Sequence, residues 1–202
     1  MIELLVLLAG AGLVLNARTS QAVVAYIVLA ALATYFIFPA TNGSPIALLL
    51  FVLSGFVKLI AAPLGVWLFV TANPATRDLR PSVPIAGRLL VVIAFAAAAH
   101  GVAAMDAFRG IGGIDEIAYV ILCALGMLVI QRNLLAHILG LLALSAGVTL
   151  AGAVLAPGLP ESVELGATFD AVVVTFIGLG LVRAFIVHNP VLDVESLRSL
   201  RG

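Results

Sequence analysis

The sequence predicts an all-α integral membrane protein with about seven transmembrane helices. Of its 202 residues, 63% are hydrophobic and 10% are charged, and the mean hydropathy is +1.26. A water-soluble domain of this length could not bury so much apolar surface, whereas a lipid bilayer can accommodate it. The apolar residues also fall into long runs, and a helix that crosses a bilayer needs roughly 20 of them.

Turn-rich breaks separate the apolar runs. The seven runs are approximately Ile2 to Leu15, Ala22 to Ala40, Pro45 to Val70, Ile85 to Ala104, Ile117 to Ile130, Leu134 to Leu155 and Val163 to Val187. The first and fifth are short and need flanking residues or a locally thinner bilayer, so six spans are the alternative. The first run is predicted to be a retained helix, because Glu3 stands where a secretory signal has basic residues.

The chain is predicted to form a single membrane domain, residues 1–202. A proline-rich break at 71–84 separates helices 1–3, residues 1–70, from helices 4–7 and a short tail in residues 85–202. The breaks are rich in residues that interrupt helices, and none is long enough to hold a soluble domain.

The arginines predict the orientation of the chain in the membrane. With seven spans, eight of the nine arginines fall on one side and Arg109 alone falls on the other. Because cytoplasmic loops carry an excess of basic residues, the arginine-rich side is predicted to be cytoplasmic. This places the 71–84 loop and the C-terminus inside and the N-terminus outside. Removing either short span would scatter the arginines over both sides, which favours seven spans.

Two ionisable residues lie clearly within the predicted spans. Placing such a side chain at bilayer depth costs about 2.5 to 3.5 kcal/mol, so each indicates a functional site that faces protein or water. Lys58 lies near the middle of the third run, and Asp170 lies about two turns below the outer end of the last. Pro63 removes a backbone hydrogen bond and loosens the helix beside Lys58. We expect Lys58 to pair with an acid; a neutral lysine, or a pair that only holds an assembly together, is the alternative.

The remaining polar residues predict no catalytic centre. His100 and His137 lie near opposite ends of their spans without the spacing of a zinc site, so they are interpreted as interface histidines, with a secondary role in an ion path as the alternative. Cys123 is predicted to be a buried apolar residue. The sequence has no nucleotide-binding loop, no nucleophile–base pair and no clustered basic face. We therefore expect no cofactor, no metal, no nucleic-acid partner and no enzymatic activity of the isolated chain.

Several segments resemble a known family. The stretches "QRNLLAHILGLLALSAGVTLAG" and "PESVELGATFDAVVV" and the tail "LDVESLRSLRG" are similar to membrane component E of hydrogenase-4 and formate hydrogenlyase-type complexes. The stretch "FVKLIAAPL" is similar to the lysine-plus-proline helix of that family. Over residues 117–202 the chain also resembles the K-type subunit of respiratory complex I and the C subunit of multisubunit sodium/proton antiporters.

The resemblance implies an accessory subunit of a redox-driven, ion-translocating complex in a bacterial inner (plasma) membrane. Its partners would be larger antiporter-like membrane subunits and a soluble hydrogenase- or complex I-like arm. Asp170 and Glu164 are similar to family acids of a mid-membrane proton path. Ser145 stands where related chains have an acid, and a serine holds no titratable proton near neutral pH. A subunit that only scaffolds, and a cation/proton antiporter subunit without a redox partner, are therefore the alternatives.

Overall fold

The computed structural model describes residues 2–37, 45–73, 76–79, 81–108, 110–155 and 160–188. These residues form seven helical rods and the connections between them. A π-helical turn, Val57–Ala61, joins two of the eight α-helices into one rod. No strand occurs in these ranges, so the predicted all-α fold is confirmed. The helices are α1 (Ile2–Leu15), α2 (Thr19–Ile37), α3 (Pro45–Phe56), α4 (Ala62–Ala72), α5 (Ile85–Ala103), α6 (Ile114–Ile130), α7 (Leu134–Leu155) and α8 (Pro160–His188).

Four helices within the described ranges are long and apolar enough to cross a membrane. They are Leu48–Ala72, Ile85–Ala103, Leu134–Leu155 and Leu165–Ala184, and two shorter apolar helices cover Glu3–Leu15 and Thr19–Tyr35. The fifth predicted run begins three residues earlier than expected, at Ile114. Gly113, with φ of 87°, starts this helix in the left-handed region, and Asp115 and Glu116 place negative charge in its first turn.

The rods pack as two three-helix rows that face each other. The first row contains α1, α2 and the α3–α4 rod, and the second contains α6, α7 and α8. α1 packs on α6, α2 packs on α7, and the α3–α4 rod packs on α8, while α5 flanks α1 and α6. A continuous apolar core runs between the rows. The third rod of each row carries one of the ionisable residues singled out above, Lys58 in the first row and Asp170 in the second.

Three connections meet at one end of the bundle and are tied together by hydrogen bonds. Thr19 Oγ1 donates to the Thr76 carbonyl at 2.7 Å, and Asn133 Nδ2 donates to the Asp78 carbonyl at 2.9 Å. Gln131 Nε2 donates to the carbonyl of Asn16 at 3.2 Å. We call this end the tied end. It brings together Arg18, Arg77 and Arg132, as the arrangement with seven spans predicts, whereas Arg80 and Arg109 lie outside the described residues.

Candidate functional site

Lys58 lies on the π-helical turn that joins α3 to α4, and only 3% of its surface is exposed. Pro63 has no N–H group and cannot bond to the Leu59 carbonyl, so an ordinary α-helix is interrupted here. The wider turn accommodates this loss, because the Ala62 N–H bonds to the Val57 carbonyl five residues earlier. The turn that the sequence predicts to be loosened is thus a π turn, and it directs Lys58 into the protein.

The side chain of Lys58 reaches across to α7. Its Nζ donates to Thr149 Oγ1 at 3.5 Å, and the Thr149 hydroxyl donates to the Ser145 carbonyl at 2.8 Å. Because its proton is directed at that carbonyl, the Thr149 oxygen can accept from the lysine. Thr149 is 2% exposed. Sequence reasoning missed Thr149; the signal was a second hydroxyl one turn after Ser145 in an otherwise apolar helix.

A further buried hydroxyl, that of Ser54, lies one helical turn before Lys58. Ser54 is 1% exposed, and its Oγ has no hydrogen-bond partner among the residues that the structure describes. Such orphaned groups are uncommon, because an unmade hydrogen bond inside a protein costs about 1 to 3 kcal/mol. We use the name polar patch for Lys58, Thr149 and Ser54, three polar side chains enclosed by the apolar core.

Ser145 connects the polar patch to a groove on the outside of α7 and α8. Its hydroxyl donates to the Ala167 carbonyl at 3.4 Å. The groove has a volume of about 420 Å³ and is lined by Ser145, Ala167 and Asp170, together with apolar residues. Asp170 is exposed on this outer side. The structure therefore places Ser145 between Lys58 and Asp170 and keeps those two ionisable groups in different environments, one enclosed and one open.

Glu164 belongs to the first turns of α8, but its side chain lies outside the described residues. The level of its backbone follows from the register of α7 and α8, which are antiparallel neighbours joined by a short connection. Since Ser145 contacts Ala167, Thr149 lies level with positions 163 and 164. Position 164 also precedes the buried Ala167 and Ala171 by three and seven residues, the spacing of one helix face.

The two histidines singled out from the sequence do not join the polar patch. His100 is exposed in the last turn of α5, and His137 is half-buried in the first turn of α7, where its Nδ1 lies 3.0 Å from the Asn133 carbonyl oxygen. No group of three potential metal ligands occurs among the described residues. Cys123 is buried and has a free thiol.

A pair of acids that sequence reasoning did not single out lies at the end opposite the tied end, in the first turn of α6. Hydrogen bonding with the Asp115 carboxyl, followed by partial burial, raises the pKa of Glu116 to about 7. The same hydrogen bonding lowers the pKa of Asp115. Glu116 lines a cavity of about 340 Å³ together with Glu3. Glu116 therefore holds its proton more tightly than an ordinary glutamate does.

No family model matches this sequence, and neither characterised proteins nor solved structures provide a match. The fold and the site define the class of protein, a multi-pass all-α membrane protein with a buried lysine that donates to a threonine hydroxyl. Its function is therefore argued from its own side chains.

Proposed function

We propose that this chain is an accessory membrane-arm subunit of a redox-driven complex that translocates protons, like the hydrogenase-4 and complex I-like assemblies that its sequence resembles. The observation that supports the proposal is the line of polar groups from Lys58 through Thr149 and Ser145 to the groove with Asp170. Ionisable groups at bilayer depth are costly and generally serve ion pathways or ion pairs. This line crosses α7 from the enclosed core to an open face.

Glu164 is the acid that we assign to Lys58. Its backbone lies at the level of the Lys58–Thr149 contact, three residues before the buried Ala167. In this arrangement the Lys58 ammonium stabilises the ionised Glu164 carboxylate, and carboxyl groups hold and release the transferred proton. The hydroxyls of Thr149 and Ser145 can both donate and accept. Each donates to a backbone carbonyl in the structure, so proton transfer between the two acids requires both hydroxyls to rotate away from those carbonyls.

Asp170 faces a partner subunit in this proposal. The residue is exposed on α8 next to the exposed Phe169, on a helix apolar enough to cross the membrane. A carboxyl group facing lipid would cost about 2.5 to 3.5 kcal/mol at the centre of a helix. A larger antiporter-like subunit with a polar surface would remove that penalty and extend the path, while a soluble arm would supply the redox chemistry.

Identification of the copurifying subunits tests the proposal. The full chain, tagged and extracted from its native membrane in mild detergent, is expected to bring down iron–sulfur and hydrogenase-like large subunits together with antiporter-like chains. Mass spectrometry that finds only antiporter-like chains would replace the proposal with a cation/proton antiporter subunit. Recovery of the chain without any such subunit would contradict both functions.

A further inference from the structure

A basic cavity of about 530 Å³ opens at the tied end, between the start of α2 and the end of α4. Its lining includes two arginines, Arg18 and Arg77, one acid, Asp78, and the indole of Trp67. Both arginine side chains are exposed, and neither guanidinium hydrogen-bonds or pairs with any residue in the described ranges. Among the lining residues, two positive charges therefore face one negative charge.

The backbone around this cavity is fixed although the guanidinium groups are exposed. Arg18 and Asp78 form an antiparallel bridge, and the Thr19 N–H donates to the Arg77 carbonyl at 2.9 Å. The Thr19 hydroxyl reinforces this contact by donating to the Thr76 carbonyl. Two neighbouring connections thus hold the arginines at the rim of one cavity.

An apolar furrow of about 580 Å³ adjoins the basic cavity and shares Ser20 and Trp67 with it. The furrow follows α1 and α2 from Asn16 to Leu5, eleven residues along α1. At about 1.5 Å per residue this is roughly 16 Å, close to half of the ~30 Å hydrocarbon core of a bilayer. The floor consists of small residues and the walls of large ones; they include Ala9, Gly12 and Ala25 below and Leu5, Leu8 and Val24 at the sides.

We infer that the basic cavity and the furrow together bind one anionic glycerophospholipid of the leaflet at the tied end. A guanidinium forms paired hydrogen bonds with phosphate oxygens, so Arg18 and Arg77 would hold the headgroup phosphate. The furrow has the depth and the apolar lining for an acyl chain of one leaflet. Trp67 lies where the two meet, the position at which amphipathic indoles favour the membrane interface. Basic pockets between helices at the cytoplasmic side bind anionic headgroups in this way. This lipid site goes beyond the proposed function and does not depend on it.

Trp67 provides the test, because it is the single tryptophan of the chain. The purified full-length protein is reconstituted in phosphatidylcholine vesicles with increasing fractions of brominated phosphatidylglycerol or, separately, brominated phosphatidylcholine. Bromine on an acyl chain in the furrow quenches the indole fluorescence. We expect an apparent association constant about fivefold higher for the anionic lipid, since each basic residue near a membrane surface favours anionic lipid.

Substitutions of the two arginines test whether the preference for anionic lipid arises in the basic cavity. Arg18→Gln with Arg77→Gln is expected to reduce the ratio of the two association constants to about one, and Arg18→Lys with Arg77→Lys to retain part of it, because charge persists without the paired donors. Arg183→Gln, which removes an exposed arginine of α8 that does not line the cavity, is expected to leave the ratio unchanged. If the glutamine pair does not fold, the lysine pair and the wild-type ratio still decide the question.

Three results would overturn the inference. The first is equal quenching of the wild-type protein by the two lipids. The second is a preference for anionic lipid that persists when both Arg18 and Arg77 are replaced by glutamine. A preference that falls as much in Arg183→Gln as in that double variant would likewise overturn it, because it would indicate unspecific surface charge. The third is a preference for the anionic lipid that is the same in inorganic phosphate as in chloride of matched ionic strength, because phosphate should compete for the two guanidinium groups.

Discussion

Two buried cations of this chain, Arg88 and Lys58, occupy different kinds of environment. Arg88 lies near the start of α5 and is 5% exposed; its Nη1 donates to the carbonyls of Val14 and Leu15 at the end of α1. The last carbonyls of a helix lack partners within it, and a cation there also stabilises the helix dipole. Lys58 lies in the middle of the α3–α4 rod, where its Nζ donates to the Thr149 hydroxyl.

The difference shows which of the two charges the fold itself requires. Without the guanidinium of Arg88, backbone acceptors at a buried helix end would lose their hydrogen bonds, so Arg88 has a structural role. The Thr149 hydroxyl already has a backbone partner and does not need the lysine. A methionine of similar length would fill the space of Lys58, but it would leave the acid that we assign to the lysine without its cation. In the proposed function, the lysine at this position is the cation that pairs with that acid.

The largest effect on stability is expected at Arg88. Arg88→Met removes two hydrogen bonds made by a charged group, each worth about 1.5 to 3 kcal/mol, so the free energy of unfolding should fall by about 3 kcal/mol. Thermal unfolding in detergent measures the loss, with Arg183→Met as the control for removing an exposed arginine. An unchanged midpoint would remove the structural role assigned to Arg88.

A double-mutant cycle between Lys58 and Glu164 should show a change of intermediate size in the free energy of unfolding. Lys58→Met alone leaves the assigned acid without its cation and should destabilise the protein by about 2 kcal/mol, whereas adding Glu164→Gln should restore stability to within about 1 kcal/mol of wild type. The matched cycle of Arg88→Met with Glu164→Gln should be additive. Additivity in the Lys58 cycle as well would mean that another group is the partner of the lysine.

A smaller change is expected at Thr149. Thr149→Val keeps the shape of the side chain but removes the oxygen that accepts from Lys58, at a cost of about 1 kcal/mol. Thr175→Val is the control, because the Thr175 hydroxyl is also buried and makes the same bond to a carbonyl four residues earlier, that of Ala171. Equal unfolding midpoints for the two variants would show that the Lys58–Thr149 contact contributes nothing.

The smallest expected effect is the contribution of Glu116, an acid in the first turn of α6, to the pH dependence of stability. Its pKa of about 7 in the folded protein exceeds the value of about 4.3 in an unfolded chain. The folded state therefore binds the proton more tightly, and this stabilisation is lost as pH rises from about 4.5 through 7. After allowance for solvent screening we expect about 1 kcal/mol. Unfolding midpoints at pH 5 and pH 8 should differ less in Glu116→Gln than in wild type; an equal difference would assign the pH dependence elsewhere.

The sequence was sufficient to predict the helices and to single out the ionisable residues within them. It was not sufficient to predict the contacts that those residues make. Length and hydropathy predict the rods within a few residues, and the cost of a charge in lipid singles out Lys58 and Asp170. The partner of Lys58 could not be predicted, because Thr149 is 91 residues away and their contact depends on how the two rows pack. Arg88 contributed only to the predicted orientation, since its carbonyl partners belong to another helix.

We propose that Asp170 takes part in proton transfer through this subunit, and proton translocation by the assembled complex tests this role most directly. Asp170→Asn keeps the shape and much of the hydrogen bonding of the side chain but cannot release a proton. In vesicles that contain the purified complex, the number of protons moved per electron should fall to less than about half of the wild-type value, since one proton carrier of the path is lost. Electron transfer from the soluble arm to an artificial acceptor should continue at the wild-type rate. An unchanged proton-to-electron ratio in a fully assembled complex would contradict the account and leave Asp170 as a structural hydrogen-bonding residue.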